Sequence, residues 1–300
     1  RMVGEPLNLD EFLARHRLPS SFANVVDEFY VPLARWLCAR MTESGPGTFV
    51  LGINGAQGTG KTTLSNFLSE FLRHDYDMSV AELSIDDIYL TRAERTDLAE
   101  HVHPLLATRG VPGTHDVALG RAVIDKLCAL GAGETMSLPR FDKSVDDRRP
   151  ESAWPEVTGP IDLIVFEGWC VGSTAVPGGE LAEPVNRLEA EEDSDCAWRS
   201  YVNDQLATTY RGLFSNIDAL VFLEAPSFDA IYRWRSDQER KLAASAGAEG
   251  TQVMNEASLK RFLQYYERIT RHNLVTLHSH ADVVLALNED HAVTDANYAG

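Results

Sequence analysis

The stretch Gly55-Ala-Gln-Gly-Thr-Gly-Lys61-Thr62 is the most informative part of this 300-residue chain, because it matches the pattern G-x-x-x-x-G-K-[ST]. The apolar run Phe49-Val-Leu-Gly-Ile53 precedes it and predicts a strand. Apolar residues with helical spacing follow it, at positions 64, 67, 68, 71 and 72. Glycines between a strand and a helix let several backbone N–H groups point at one phosphate, and the helix N-terminus adds partial positive charge. The stretch therefore predicts a phosphate loop that binds a nucleoside triphosphate.

The residue types in this loop also assign individual contacts. Lys61 would supply a cation to the β- and γ-phosphates and assist phosphoryl transfer, and the Thr62 hydroxyl would ligate Mg²⁺. The expected cofactors are a nucleoside triphosphate, taken to be ATP, and Mg²⁺. The predicted nucleotide-binding residues of the loop are Gly55, Ala56, Gln57, Gly58, Thr59, Gly60, Lys61, Thr62 and Thr63.

Composition limits the partners that the chain can bind. A formal net charge of −18 argues against nucleic acid and anionic membranes, which require a basic face. No apolar run approaches the length of a membrane span, and no signal peptide is visible. The four cysteines lack metal-binding spacing and are typical of reduced thiols in a cytoplasmic protein. The expected partner is a small-molecule substrate, and the oligomeric state stays open.

Apolar runs alternate with helical patterns along the chain, which predicts an α/β protein. We expect a P-loop NTPase-type parallel sheet of about five strands with helices on both faces. The strands after the first are predicted at 78–85, 161–166, 219–223 and 283–287. The prediction is a single domain over 1–300, with N-terminal helices at 8–42, a core at 49–291, an acidic insert at about 173–196 and a helical lid at about 233–250. For the acidic insert, a solvated surface excursion is the favoured interpretation.

Acidic residues end two of the predicted strands. Asp86 and Asp87 follow the second strand, and Glu167 ends the third. Because ligands bind beyond the carboxyl ends of parallel strands, these carboxylates should share a crevice with the phosphate loop. Asp86 or Asp87 could accept the proton of a substrate hydroxyl, and Glu167 could hold Mg²⁺. The alternative for the aspartates is a helix cap, and the residues alone do not settle which of the two is the base.

Several motifs in order resemble a family of phosphate-loop small-molecule kinases that includes uridine kinase, pantothenate kinase and phosphoribulokinase. The resemblance is strongest to the plant-type D-glycerate 3-kinases and their kinase-like relatives. It implies that Asp86 is the candidate base, that Glu167 is the strand-three glutamate and that the end of strand five touches adenine through His291. The matching segments, spread over about 49–291, are Ser84-Ile-Asp-Asp-Ile-Tyr-Leu-Thr91, Arg109-Gly-Val-Pro-Gly-Thr-His-Asp116, Pro139-Arg-Phe-Asp-Lys-Ser144, Glu167-Gly-Trp169 and Asn288-Glu-Asp-His291. One departure is Val145-Asp-Asp-Arg-Arg149, where the family tends toward Gly-x-Gly-Asp-Arg.

The acceptor is expected to be D-glycerate or a similar hydroxy acid. A small anionic acceptor needs cations that grip a carboxylate, and the irregular segments supply them. A kinase also excludes water with a lid that carries arginine, for which Arg235 is the first choice. The expected acceptor-binding residues are Asp87, Tyr89, Arg109, His115, Arg140, Lys143 and Arg148.

Two other functions compete with this prediction. The first is a kinase like uridine kinase or pantothenate kinase, with another hydroxyl acceptor. The second is a protein without kinase activity, either a nucleotide-dependent switch or motor or a kinase-fold regulatory binder that has lost catalysis. The sequence lacks the Asn-Lys-x-Asp motif with which switch GTPases read the base, and it keeps Lys61, Thr62, Asp86 and Glu167. The residues therefore favour a kinase but leave the acceptor, and the choice between ATP and GTP, open.

Overall fold

A computed structural model of the chain describes residues 6–245 and 254–299, so that residues 246–250 of the predicted lid lie outside it. The strands are β1 (Phe49–Gly55), β2 (Val80–Ser84), β3 (Thr135–Ser137), β4 (Phe141–Asp142), β5 (Asp147–Arg148), β6 (Glu156–Thr158), β7 (Leu163–Gly168), β8 (Ala219–Glu224), β9 (Val283–Leu287) and β10 (Val293–Tyr298). The α-helices are α1 (Leu9–Arg15), α2 (Phe22–Val25), α3 (Val31–Ser44), α4 (Lys61–Tyr76), α5 (Arg92–His101), α6 (Val117–Ala129), α7 (Arg187–Glu192), α8 (Ala197–Gln205), α9 (Arg211–Phe214), α10 (Phe228–Ser245), α11 (Glu256–Gln264) and α12 (Glu267–His280).

The central sheet has the order β10-β9-β8-β1-β7-β2, and its five strands other than β10 run parallel. Strand β1 lies in the interior, so the phosphate loop leaves the sheet between β7 and β8. The register aligns Ile53 and Ser84 with Glu167 on either side. The α/β class and the parallel sheet are confirmed, and the acidic strand ends meet at one edge.

Strand β10 is a sixth strand that the sequence analysis did not predict. It pairs antiparallel with β9 at the edge of the sheet, and its side chains are half-buried or exposed. The segment Val293-Thr-Asp-Ala-Asn-Tyr298 carries too few apolar residues to stand out as a strand. Pairing with a neighbour on one side alone lets an edge strand form without such a pattern.

Alternating side chains of the central strands fill two apolar layers. In β1, Leu51 and Ile53 pack in one layer with the N-terminal helices, α4 and α10. Val50 faces the other layer, which contains α6, α8 and α12 residues such as Ile269. This period of two, with both faces buried, is typical of a parallel sheet covered by helices.

The acidic insert at 173–196 is exposed at most of its positions, but two of its carboxylates are buried. The Glu189 side chain is 1% exposed and Asp193 is 0% exposed. Arg268 neutralises Glu189, and Arg199 neutralises Asp193. The charge pattern suggested solvation because Arg268 lies 79 residues away from Glu189 in sequence.

Among the described residues, no helix has the length and apolar character needed to cross a membrane.

Candidate active site

The phosphate loop turns through two glycines with left-handed backbone. Gly58 has φ of +86° and Gly60 has φ of +96°, a region that favours glycine. A Cβ on Gly55 would lie 2.5 Å from the Thr59 Oγ1, so that position also excludes a side chain. Helix α4 begins at Lys61, and its N-terminus therefore faces the loop. The loop has the cradle shape that a phosphate group needs.

The polar side chains of the loop fit a bound triphosphate and a metal ion. The Lys61 Nζ donates to the Ala56 carbonyl at 3.0 Å, and burial lowers the pKa of Lys61 although Glu167 and Asp86 partly offset this. Thr62 presents an exposed hydroxyl. Gln57 Oε1 is buried without a hydrogen-bond partner. The donor set is thus suited to phosphate oxygens and a hard cation.

The two adjacent aspartates have different positions. Asp86 lines a cavity beside the loop, where its Oδ1 accepts from the Tyr89 hydroxyl at 2.8 Å and its Oδ2 from the Lys143 Nζ at 2.6 Å. Burial raises the pKa of Asp86, but the charge and hydrogen bond of Lys143 outweigh it and hold that pKa below its usual value. Asp87 instead caps the short helix Ile85–Ile88 by accepting from the Ser84 N–H at 3.2 Å. The cap interpretation therefore describes Asp87 and not Asp86.

Glu167 lies at the end of β7 in the same cavity as Asp86 and Thr62. Burial raises the pKa of its carboxyl, and the nearby Lys61 charge counteracts this. The Ser84 side chain, which lies beside Glu167 on the neighbouring strand β2, also lowers this pKa. Thr62 and Glu167 are together able to hold Mg²⁺.

This cavity, the acceptor-side cavity, has a volume of about 500 Å³. Five cationic and three acidic side chains line it, so its local charge is opposite to that of the whole chain. The residues lining it are Gln57, Lys61, Thr62, Ser84, Asp86, Tyr89, Arg95, Ala107, Thr108, Arg109, Lys143, Asp146, Glu167, Gly168, Trp169, Arg235, Phe262 and Tyr266.

A second cavity, the nucleotide-side cavity, has a volume of about 660 Å³ and lies on the other side of the loop. It shares Lys61 and Thr62 with the acceptor-side cavity. The rings of Trp234 and His291 lie 4.6 Å apart at its edge. Two cavities that meet at one lysine and one threonine can hold a nucleotide on one side and an acceptor on the other.

Arg235 on α10 lies directly over the loop, where a Cβ on Gly58 would come 3.4 Å from its Cδ. Its guanidinium binds Glu239 at 2.9 Å and also Gln238, and its Nε is buried without a partner. The part of the predicted lid that the structure describes therefore brings an arginine to the cavity.

Four predicted acceptor-binding residues lie behind the acceptor-side cavity and do not line it: Asp87, His115, Arg140 and Arg148. The His115 ring stacks on Tyr89 at 4.6 Å, and its Nδ1 is 2.6 Å from the Tyr210 hydroxyl. Arg140 pairs with Asp87, and Arg148 donates to the Tyr89 carbonyl and to Asp116. These side chains shape and support the wall, since tertiary contacts turn them away from its surface.

Nine residues that line the cavity were not predicted as site residues, and five of these are charged or aromatic: Arg95, Asp146, Trp169, Phe262 and Tyr266. Trp169 lay in a matched motif, but no role was inferred for it. Tyr266 lies in the turn between α11 and α12. The centroid of its ring lies 4.7 Å from that of Trp169. Its hydroxyl contacts Gly110, where a Cβ would lie only 2.2 Å away. For Arg95 and Asp146 the sequence carries no signal besides charge.

Comparison with known proteins places the chain among kinases. It is 37% identical over 204 residues to the uncharacterized kinase mug58 of Schizosaccharomyces pombe, which covers 65% of this chain and 72% of that protein. It is 31% identical over 254 residues to the chloroplastic D-glycerate 3-kinase of Arabidopsis thaliana, or 80% of this chain and 52% of the enzyme. The chain belongs to this family of P-loop small-molecule kinases.

The kinase also shares its fold with a solved structure of D-glycerate 3-kinase from Cryptococcus neoformans. The TM-score is 0.75 at 24% identity, over 90% of this chain and 98% of that one. This kinase spans about half the length of the Arabidopsis enzyme. No family model matches the chain.

Proposed function

We propose that this kinase transfers the γ-phosphoryl group of ATP to a hydroxyl of a small hydroxy acid, with D-glycerate as the leading acceptor. The observation that carries the proposal is the acceptor-side cavity, because it brings Lys61, Asp86 and Arg109 to one space. Phosphoryl transfer needs charge stabilisation, an oriented nucleophile and a bound acceptor. Lys61 would stabilise charge, Asp86 would orient the nucleophile and Arg109 would bind the acceptor.

Asp86 would orient the acceptor hydroxyl and take its proton. Its lowered pKa keeps it ionised near neutral pH, as a hydrogen-bond acceptor must be. Tyr89 and Lys143 hold its two oxygens in place, and a carboxylate oxygen keeps a lone pair for a further donor. Lys61 and Arg235 would stabilise the negative charge on the transferring group.

The nucleotide would occupy the loop from Gly55 to Thr63 and the nucleotide-side cavity, with its base near His291. Thr62 and Glu167 would hold Mg²⁺, which when bound neutralises charge on the β- and γ-phosphates. Burial of Lys61 strengthens its electrostatic contact with the same oxygens.

The acceptor end contains Arg109, whose guanidinium suits a carboxylate, and Lys143, which is paired with Asp86. The relative that is named a D-glycerate 3-kinase supports glycerate, whereas relatives named pantothenate kinases support the alternative acceptor. Pantothenate is also a hydroxy acid, and the size of the acceptor-side cavity does not exclude it.

An acceptor panel tests the proposal directly. ADP release from ATP would be measured with D-glycerate, pantothenate, uridine and no acceptor. We expect D-glycerate to give the highest kcat/KM and Asp86→Asn to lower it by about 10²–10⁴-fold, the range for loss of a general base.

The matched control is Asp87→Asn, because Asp87 caps a short helix and does not line the cavity. Its kcat/KM should stay within about tenfold of the wild type. Turnover with pantothenate or uridine but not with glycerate would refute the acceptor. Unchanged transfer by Asp86→Asn would refute the base.

A further inference from the structure

Asp146 is an acidic residue in the part of the acceptor-side cavity that is rich in cations. It follows the β4 strand in a tight turn and has φ of +57°, a conformation that aspartate and asparagine adopt more readily than most residues. Its Oδ1 lies 3.0 Å from the Arg95 Nη2, as an ion pair, and accepts from the Arg109 Nη1. One carboxylate oxygen thus bridges two arginines.

The two arginines differ in their freedom. Arg95 is 1% exposed and also donates to the carbonyls of Leu90, Ala107 and Asp146, so its guanidinium is fixed. Arg109 makes its ion pair with Asp146, and its guanidinium lies over the Phe141 ring at 5.6 Å. Arg109 is therefore the cation that can reach a ligand, and Asp146 already neutralises part of its charge.

The remaining lysine at this end of the cavity is paired as well. Lys143 binds Asp86 at 2.6 Å, which makes a neutral pair. Arg95 and Arg109 together with Asp146 then leave one net positive charge. An acceptor with one negative charge would balance that site, whereas an acceptor with two would face the Asp146 carboxylate with its second charge.

We propose that Asp146 is a specificity-determining residue that restricts this cavity to singly charged hydroxy acids and disfavours dianionic ones. The inference rests on one part of the proposed function, namely that the acceptor binds in this cavity. It does not require the acceptor to be glycerate. Specificity of this kind arises from a repulsive group placed against the wrong ligand. Asp146 both repels the second charge and occupies the guanidinium that would bind it.

The test compares binding of a monoanion and a dianion of similar size. Lactate and tartronate would be titrated calorimetrically into the protein with ADP and Mg²⁺ present, using wild type, Asp146→Asn and Asp146→Gly. Both replacements are compatible with a positive φ. We expect each to bind tartronate about tenfold more tightly relative to lactate than the wild type does, because a charge near the ligand is removed.

The matched control is Asp147→Asn, whose carboxylate accepts from the backbone N–H groups of Arg92 and Arg148 and does not line the cavity. Its ratio of tartronate to lactate affinity should equal that of the wild type. Tighter binding of the dianion cannot result from partial unfolding. An unchanged ratio in both Asp146 variants would overturn the inference, whether or not glycerate is the acceptor. If the ratio of tartronate to lactate affinity changes in the Asp146 variants but glycerate is not phosphorylated, only the proposed acceptor is overturned.

Discussion

At the residue scale, His115 is a buried base whose role is support of the cavity wall. It is 4% exposed and lies between the rings of Tyr89 and Tyr210. Tyr210 accepts a hydrogen bond from the Gly113 N–H, so its own hydroxyl can donate to the His115 Nδ1. Burial lowers the pKa of His115 to about 4. The imidazole is therefore neutral in the folded protein near neutral pH, and it holds Tyr89 against Asp86.

This placement predicts a pH dependence of stability. Because the folded pKa of His115 lies at about 4 and the ordinary value is 6.5, acid protonates the unfolded chain first. The stability that neutral His115 contributes is present above pH 6.5 and is lost as the pH falls toward 4. The free energy of unfolding would be measured with urea at pH 7 and at pH 5. The decrease from pH 7 to pH 5 should be about 2 kcal/mol smaller in His115→Gln than in the wild type.

His74→Gln provides the control, since His74 is exposed on α4. That variant should keep the pH dependence of the wild type. Equal losses in the wild type and in His115→Gln would contradict the assignment of a neutral buried imidazole.

At the element scale, the acidic insert holds the turn between α11 and α12. Arg268 donates to both Glu189 oxygens, at 2.8 and 2.6 Å, and to the carbonyls of Glu180 and Glu183. Asn186 donates to the Gln264 carbonyl at 2.9 Å. The same turn carries Tyr266, which lines the acceptor-side cavity. The insert is thus part of the structure that positions one wall of the cavity.

Arg268→Ala should therefore weaken acceptor binding without changing nucleotide binding. It leaves Glu189 buried without its cation, which costs about 3–5 kcal/mol of stability and lets the turn move. We expect KM for the acceptor to rise about tenfold while KM for ATP stays within twofold, as measured by steady-state kinetics.

Arg271→Ala is the control on the same helix, because Arg271 is half exposed and pairs with Glu267 one turn away. Both KM values of that variant should match those of the wild type. Parallel increases of the two KM values in Arg268→Ala would indicate a general loss of structure and contradict the positioning role.

At the scale of the whole molecule, the N-terminal helices share an apolar layer with the central sheet. Phe12 on α1 is buried, and its ring lies 5.7 Å from that of Phe67 on α4, the helix that starts at the phosphate loop. Tyr30 contacts the same ring at 5.5 Å. We propose that the N-terminal helices and the kinase core form one domain and unfold together.

Phe12→Ala tests this proposal by creating a cavity in the shared layer. The free energy of unfolding should fall by about 3–5 kcal/mol in a single transition, with circular dichroism and tryptophan fluorescence giving the same midpoint. Glu11→Ala, at an exposed neighbouring position, should leave that midpoint nearly unchanged. An early transition of the helices alone, with the core unaffected, would contradict the single domain.

Local sequence patterns were sufficient to predict the phosphate loop, the five parallel strands and the sheet edge at which Asp86 and Glu167 meet. These features follow from a local motif and from apolar periodicity, which depend on residues close together in the chain. The edge strand β10 was not predicted because its segment carries few apolar residues. The burial of Glu189 was not predicted because its partner Arg268 lies 79 residues away in sequence.

Which polar side chains line the acceptor-side cavity depends on tertiary contacts. The tertiary structure separates Asp86 from Asp87, moves His115 behind Tyr89 and brings Asp146 between two arginines that lie 51 and 37 residues away in sequence. The physical reason is that the direction of a charged side chain outside regular strands is set by its ion pairs and packing partners. Those partners come from other loops, and no local pattern encodes them.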